Sequence, residues 1–172
     1  MANTYDMKVI AAGRRSETAA EARANNVEYG AGQDAMNRML SESDFVLVST
    51  PLIKSTRSFI GEREIGLMRS DAYLINPARG HIVNEKALYE AVTSKSIAGA
   101  AIDTWYEYPI AIHDSPRPSK YLFWELDNVI MLPHSGATFG TFERRARTVA
   151  ADIDRLTRGE PLENVIDELS TI

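Results

Sequence analysis

Three polar side chains that can bind ions or exchange protons follow apolar segments at well-separated places in the chain. Arg79 comes after AYLINPA, Asp103 directly after AGAAI, and His134 after NVIMLP. An arginine offers a planar pair of donors to an anion, and a histidine exchanges a proton near neutral pH. Such residues form a site only if the fold brings them together. The alternative is that they are separate exposed residues, because the ends of strands also collect polar side chains.

Short apolar runs that alternate with helical patterns predict how these residues are positioned. Strands are predicted at 7–12, 27–29, 44–50, 72–76, 97–103 and 128–132, and helices at 17–26, 32–43, 62–68, 84–95 and 140–158. Strands that are apolar on both faces indicate a parallel sheet covered by helices on both sides, and hence an α/β fold. In doubly wound sheets ligands bind outside the carboxyl ends of the strands, where Arg79, Asp103 and His134 are expected.

The composition excludes several other classes of protein. The 172 residues contain no cysteine, which excludes disulfides, thiolate metal sites and a cysteine nucleophile, and which suits a cytoplasmic location. No apolar run approaches the length of a signal peptide core or a membrane span. The net charge of −5 disfavours nucleic-acid binding. No GxSxG, GxxxxGK[ST] or HExxH motif occurs, and the spacing of the histidines predicts no metal site.

The most informative motif is INPARGHIVNEKALYEAVTSKSIAGAAIDTWYEYP followed by LDNVIMLPHSGAT. Together with DFVLVSTPLIKSTRSFIGEREIGLMRSDAYLIN just upstream, it resembles the NAD(P)-binding domain of the D-isomer-specific 2-hydroxyacid dehydrogenases, from about residue 7 to 166. The resemblance implies a Rossmann-type doubly wound parallel sheet in residues 1–166, followed by a tail at 167–172. It also implies NAD(P)-dependent hydride transfer on the CH–OH group of a 2-hydroxy acid, which in reverse is the reduction of a 2-keto acid.

The resemblance assigns roles to individual residues. Arg79 would bind the substrate carboxylate and carbonyl, His134 would be the acid/base, and Asp103 would contact the nicotinamide end of the cofactor. The expected cofactor-binding residues are Arg14, Arg15, Thr50, Pro51, Pro77, Ala78, Arg79, Asp103, His134 and Gly136. The structural alternatives are that Asp103 caps the following turn and that Arg79 pairs with a surface acid.

Two departures from the family pattern concern the chemistry of the site. Where the family usually has a glutamate that holds the histidine, this chain has Tyr108, with Glu107 one residue earlier. Tyr108 could hydrogen-bond to His134 without the charge that favours a protonated imidazole, and Glu107 could do so only if the loop shifts. The family's NAD-dependent members also have an acid at the end of the second strand. Arg14 and Arg15 stand near that position here and favour NADP. The alternative is that these two arginines are ordinary solvent-facing residues on a turn.

The third departure is that no GxGxxG fingerprint occurs. In the family this fingerprint follows the first, central strand of the nucleotide domain, and a substrate domain precedes it. We therefore expect a partial sheet that lacks its central strand, a truncated form with weak or no activity alone, and a homodimer or a chain that supplies the missing strand. The alternative is a non-enzymatic fragment or interaction module derived from such a dehydrogenase.

Overall fold

Six strands and five α-helices alternate along the part of the chain that the computed structural model describes, residues 5–13, 18–111, 113, 115–136 and 141–162. In chain order they are β1 (Val9–Gly13), α1 (Thr18–Ala24), β2 (Val27–Ala31), α2 (Gln33–Glu42), β3 (Phe45–Leu47), α3 (Glu62–Gly66), β4 (Tyr73–Asn76), α4 (Glu85–Thr93), β5 (Gly99–Ile102), β6 (Val129–Met131) and α5 (Thr141–Arg158). The chain divides into two compact units, Met1–His134 and Ser135–Ile172.

The described strands form two parallel sheets. β1 pairs with β2, from Val9 opposite Val27 to Gly13 opposite Ala31. The second sheet has the order β3-β4-β5-β6, and all of its neighbouring strands are parallel. The α/β class with parallel strands is confirmed. The sequence analysis predicted a partial doubly wound sheet that lacks its central strand, and within the described residues no backbone ladder joins β1–β2 to the four-stranded sheet.

One face of the four-stranded sheet packs into the hydrophobic core. Leu74 of β4 and Ala100 of β5 belong to the same buried cluster as Leu88 and Val92 of α4. α4 begins where the sequence predicts, because the Asn84 side-chain oxygen accepts a hydrogen bond from the Ala87 backbone N–H at 3.0 Å. This cap satisfies a backbone donor that the first turn of a helix leaves unpaired.

The opposite face of this sheet carries several apolar side chains that are exposed. Phe45 and Tyr73 are opposite each other in the register, and their rings stack at 5.8 Å. Leu47 and Ile130 lie on the same face one step further along, and all four side chains are exposed. The alternation of apolar residues indicates that a face is suited to burial, but it does not supply the element that buries it.

The long irregular stretch at 104–126 contains one short 3₁₀ helix, Phe123–Glu125. Phe123 is fully buried, with its ring 5.2 Å from that of Tyr89 and 6.3 Å from that of Trp105. Phe123 therefore anchors this loop to the domain. Trp124 is partly exposed, and the Arg117 guanidinium lies 5.7 Å from its ring centre.

The second unit contains α5, whose charged residues pair along the helix. Arg147 lies 2.6 Å from Glu143 and Arg158 lies 3.8 Å from Asp154, both at i,i+4 spacing. Val149, Ile153 and Leu156 on the same helix are exposed. Among the described residues, no helix combines the length and the apolar character that crossing a bilayer requires.

Candidate active site at the carboxyl ends of the strands

Three adjacent strands of the larger sheet end beside one another. β4 ends at Asn76, β5 at Ile102 and β6 at Met131, and the order β4-β5-β6 makes them parallel neighbours. Arg79, Asp103 and His134 follow these three ends within a few residues. Because parallel neighbours end on the same side, the residues that follow them lie along a single edge of the sheet.

The turn that carries Arg79 is held by Asn76, whose side chain is almost fully buried. The Asn76 amide donates to the Arg79 carbonyl at 3.0 Å, and its side-chain oxygen accepts from the Ala78 N–H at 3.2 Å. The backbone carbonyl of Asn76 accepts from the N–H of Asp103 at 3.1 Å. The role of Asn76 was not predicted from the sequence, although an asparagine at the end of a buried strand and before a proline is typical of such a turn. Arg79 itself is exposed and donates to the Ala78 carbonyl at 2.6 Å.

Gly80 brings this turn against the segment that follows β5. Gly80 is buried, and a Cβ atom at this position would overlap the carbonyl oxygen of Trp105. Glycine is favoured where two backbones approach each other this closely. The Arg79 turn and the Trp105 segment are therefore in direct contact.

Replacing Gly80 with alanine is expected to lower the free energy of unfolding by about 1–3 kcal/mol, because the new methyl group meets a backbone atom that cannot rotate away. Chemical denaturation followed by circular dichroism measures this change. The matched control is Gly66→Ala at the end of α3, where a Cβ meets nothing within 4 Å. This control is expected to be neutral or to stabilise by up to about 1 kcal/mol. Equal destabilisation of both variants would contradict the role given to Gly80.

His134 is contacted by Tyr108. The Tyr108 hydroxyl lies 3.1 Å from Nδ1 of His134, and the two ring centres are 5.7 Å apart. The same hydroxyl accepts from the backbone N–H of Trp105 at 2.9 Å. The backbone N–H of Glu107 donates to the Pro118 carbonyl at 3.1 Å, and the Glu107 side chain is exposed. Of the two partners that the sequence left open, Tyr108 is the one in contact with the imidazole.

Trp105 also holds the segment that leads to His134. Its indole Nε1–H donates to the Leu132 carbonyl at 2.9 Å. His134 has a φ of 58°, in the left-handed region that non-glycine residues rarely adopt. Unusual backbone of this kind is typical of functional sites and persists only where the surroundings hold it. The role of Trp105 was undecided from the sequence, since nothing in a local pattern indicates a bond to a residue 27 positions away.

Tyr106, next to Trp105, is buried, whereas Tyr108 is exposed. Burial raises the pKa of Tyr106 well above its ordinary value, and the Glu85 charge adds to this rise. Its ring packs edge-on against His81 with the ring centres 5.8 Å apart. Tyr106 therefore remains a neutral phenol within the core, while Tyr108 is 44% exposed at the edge of the site.

A cavity of about 520 Å³ lies at the ends of β1 and β3. Thr50 and Pro51, both expected from the sequence to contact the cofactor, line it with Gly13, Met36 and Phe59. This volume is in the range of small-molecule sites, and the mixture of apolar side chains with a few polar atoms suits a flat aromatic ring such as adenine. The described residues therefore fit the adenosine part of a dinucleotide.

The remaining predicted residues lie in different parts of the chain. Pro77 and Ala78 belong to the Arg79 turn, and Asp103 is buried. Gly136 belongs to the second unit. Arg14 and Arg15 lie outside the described residues. Among the residues that the structure describes, no cluster of histidine, aspartate and glutamate has the arrangement of a metal site.

Comparison with known proteins identifies the class. Residues 1–136 match the family described as D-isomer specific 2-hydroxyacid dehydrogenase, NAD binding domain. The chain belongs to this family, as its sequence motifs predicted.

Individual relatives agree with this assignment. The chain is 38% identical over 135 residues to D-3-phosphoglycerate dehydrogenase of Methanocaldococcus jannaschii, covering 78% of this chain and 24% of the relative. It is 37% identical over 160 residues to glyoxylate reductase of Pyrococcus furiosus, covering 92% and 44%. The chain thus spans less than half the length of these curated relatives.

Solved structures share the fold. D-lactate dehydrogenase with NAD+ from Lactobacillus jensenii superposes with a TM-score of 0.75 at 28% identity, over 96% of this chain and 50% of that one. The D-isomer specific 2-hydroxyacid dehydrogenase of Xanthobacter autotrophicus Py2, in complex with NADPH and MES, gives 0.73 at 27% identity, over 95% and 62%. Members of the family are therefore seen with NAD or with NADPH.

Proposed function

We propose that this chain is the cofactor-binding part of an NAD(P)-dependent oxidoreductase that acts on the CH–OH group of a 2-hydroxy acid, or in reverse on a 2-keto acid. The observation that carries the proposal is the arrangement at one sheet edge of an exposed arginine, a buried aspartate and a histidine held by a tyrosine. Membership in a family of 2-hydroxyacid dehydrogenases supports this assignment of chemistry.

In this proposal each residue has a distinct task. Arg79 binds the substrate carboxylate, because its guanidinium can donate two parallel hydrogen bonds to a planar anion. His134 gives a proton to the carbonyl oxygen in reduction and removes it in oxidation. When bound, the nicotinamide cofactor supplies or accepts the hydride. The cofactor would be held by Thr50 and Pro51 at the cavity and by Pro77, Ala78 and Asp103 at the strand ends. Arg14 and Arg15 would bind a 2′-phosphate.

We infer further that β1 and β3 flank the place of one more parallel strand in a single Rossmann-type domain at 1–166. Two features support this: the described strands form separate sheets, and β1 and β3 each leave an edge of backbone groups outside a ladder. The glycine-rich turn that holds a pyrophosphate follows the central strand in this type of domain. The 172-residue chain alone is therefore expected to bind the cofactor weakly and to turn over slowly or not at all.

The choice of cofactor is tested by the Arg14→Ala/Arg15→Ala double variant. We expect the chain to bind NADPH more tightly than NADH, because a hydrogen bond to a charged group contributes about 1.5–3 kcal/mol. Loss of both arginines should weaken NADPH binding by roughly 10- to 100-fold and leave NADH binding almost unchanged. Titration followed by nucleotide fluorescence at low salt measures both.

The control is Arg144→Ala/Arg145→Ala, an exposed arginine pair on α5, which should change neither affinity. Tighter binding of NADH than of NADPH by the unaltered chain would contradict the preference. Failure of both nucleotides to bind at millimolar concentration would contradict the cofactor-binding proposal itself.

A second candidate is an interaction module without catalysis. It is favoured by the open strand edges together with the exposed apolar face of the four-stranded sheet. A stable homodimer, or a complex with a chain that supplies the further strand, would cover them. Sedimentation of the chain without nucleotide tests this candidate, since dimerisation that is independent of NADPH supports it and a monomer that binds NADPH contradicts it.

A further inference from the structure

The hydroxyl of Tyr108 bridges two nitrogen atoms. The backbone N–H of Trp105 donates into it at 2.9 Å, and Nδ1 of His134 lies 3.1 Å away. A phenol oxygen has one proton to donate and accepts through its lone pairs, while a backbone N–H can only donate. The bond from Trp105 therefore leaves the phenol proton available for the imidazole.

Two arrangements of the Tyr108–His134 bond can be compared. If Nδ1 carries a proton, the phenol oxygen must accept from two N–H groups, and its own proton must go to a third group. If Nδ1 is unprotonated, the phenol donates to it, and the backbone N–H of Trp105 and the O–H of Tyr108 then each have an acceptor. We infer that the second arrangement holds, so that Tyr108 keeps His134 in the neutral tautomer with its proton on Nε2.

Trp105 fixes both ends of this arrangement. Its backbone N–H orients the Tyr108 hydroxyl, and its indole N–H holds the Leu132 carbonyl two residues before His134. The same tryptophan therefore holds the segment that leads to the left-handed backbone of His134 and orients the Tyr108 hydroxyl. Tyr108 acts through His134, and it is a positioning residue.

A site with Tyr108 beside the histidine differs in its hydrogen bonding from a site with a carboxylate at this place. A carboxylate only accepts, so it favours a proton on Nδ1 and a charged imidazolium. With Tyr108, the imidazole presents a neutral Nε2–H donor to a carbonyl oxygen. This consequence for the substrate rests on the proposed function, whereas the tautomer is a property of the chain itself.

Nitrogen NMR of the isotopically labelled 172-residue chain tests the tautomer directly. Long-range proton–nitrogen correlations recorded at pH 8 distinguish a protonated ring nitrogen from an unprotonated one. The chain has three histidines, and the signals that disappear in His134→Asn identify this one. We expect a protonated Nε2 and an unprotonated Nδ1 as a single species.

Two variants separate the effect of the hydroxyl from that of the ring. Tyr108→Phe keeps the ring and removes the donor, so both tautomers should appear. Tyr108→Glu replaces the donor with an acceptor, so the proton should move to Nδ1. Far-ultraviolet circular dichroism checks that each variant is folded.

A protonated Nδ1 in the unaltered chain would overturn the inference, as would identical His134 signals in the unaltered chain and in Tyr108→Phe. The outcome is independent of the proposed function, because the measurement uses neither cofactor nor substrate. If the tautomer is as inferred but NADPH does not bind, the proposed function fails and the inference stands. If NADPH binds and Nδ1 is protonated, the inference fails and the proposed function stands.

Discussion

Replacing His134 with asparagine is expected to lower kcat/KM for reduction of a 2-keto acid by about 10²- to 10⁴-fold in the native protein, the range that general acid–base catalysis contributes. The asparagine amide can donate a hydrogen bond to the carbonyl oxygen, but it cannot transfer a proton. Asparagine is also among the residues that best tolerate a φ of 58°. The loss should therefore reflect chemistry and not a change of backbone.

The measurement is NADPH oxidation in the presence of a 2-keto acid such as glyoxylate, with KM and kcat separated. If His134 transfers the proton, kcat should carry most of the loss, because the residue acts on the reacting atoms and not on the carboxylate. His113→Asn is the matched control, since His113 is an exposed loop residue and its replacement should leave the rate almost unchanged. A His134→Asn enzyme that retains about a third of its kcat would exclude the acid/base role.

Truncating Phe123 to alanine is expected to lower the free energy of unfolding by about 3–5 kcal/mol, the range for a buried phenylalanine. Phe123 has no exposed surface and contacts the rings of Tyr89 on α4 and Trp105 in the loop after β5. Its removal would leave a cavity between the helix and this loop. The backbone around the cavity is fixed by the 3₁₀ helix Phe123–Glu125, so it can collapse only in part.

Urea denaturation monitored by fluorescence and circular dichroism measures this effect. Ile110→Ala is the control in the same loop, because Ile110 is 97% exposed and its truncation should change stability by at most about 0.5 kcal/mol. Since Trp105 packs on Phe123, the Phe123→Ala variant should also broaden the His134 signals seen by NMR. A loss below about 1 kcal/mol would show that the loop is held by other contacts.

Much of the fold could be predicted from local patterns. Alternation of apolar runs with helical spacing located every strand and α-helix of the described residues to within a few positions. These features depend on neighbours within a few residues, such as the Ala87 N–H that Asn84 caps. The family was recognisable for the same reason, because INPARG and MLPHSGAT are contiguous in the chain.

Pairing between distant segments was decided only by the tertiary structure. Within the described residues the strands form two sheets, and only the register shows that Phe45 lies opposite Tyr73 and that β4 lies between β3 and β5. A strand's pattern specifies which faces are suited to burial, but the partner that pairs with it or covers it lies elsewhere.

The same distinction between local pattern and tertiary structure applies to the candidate site. The amino-acid sequence determined that Arg79, Asp103 and His134 follow three strands, and it left Tyr108 and Glu107 as alternative partners of the histidine. The tertiary structure selected Tyr108 and added Asn76, Gly80 and Trp105 as the residues that hold the site. The physical reason is that a hydrogen bond depends on distances of about 3 Å between atoms. Residues 26 or 27 positions apart, as in the Tyr108–His134 and Trp105–Leu132 bonds, reach that distance only when neighbouring strands have paired.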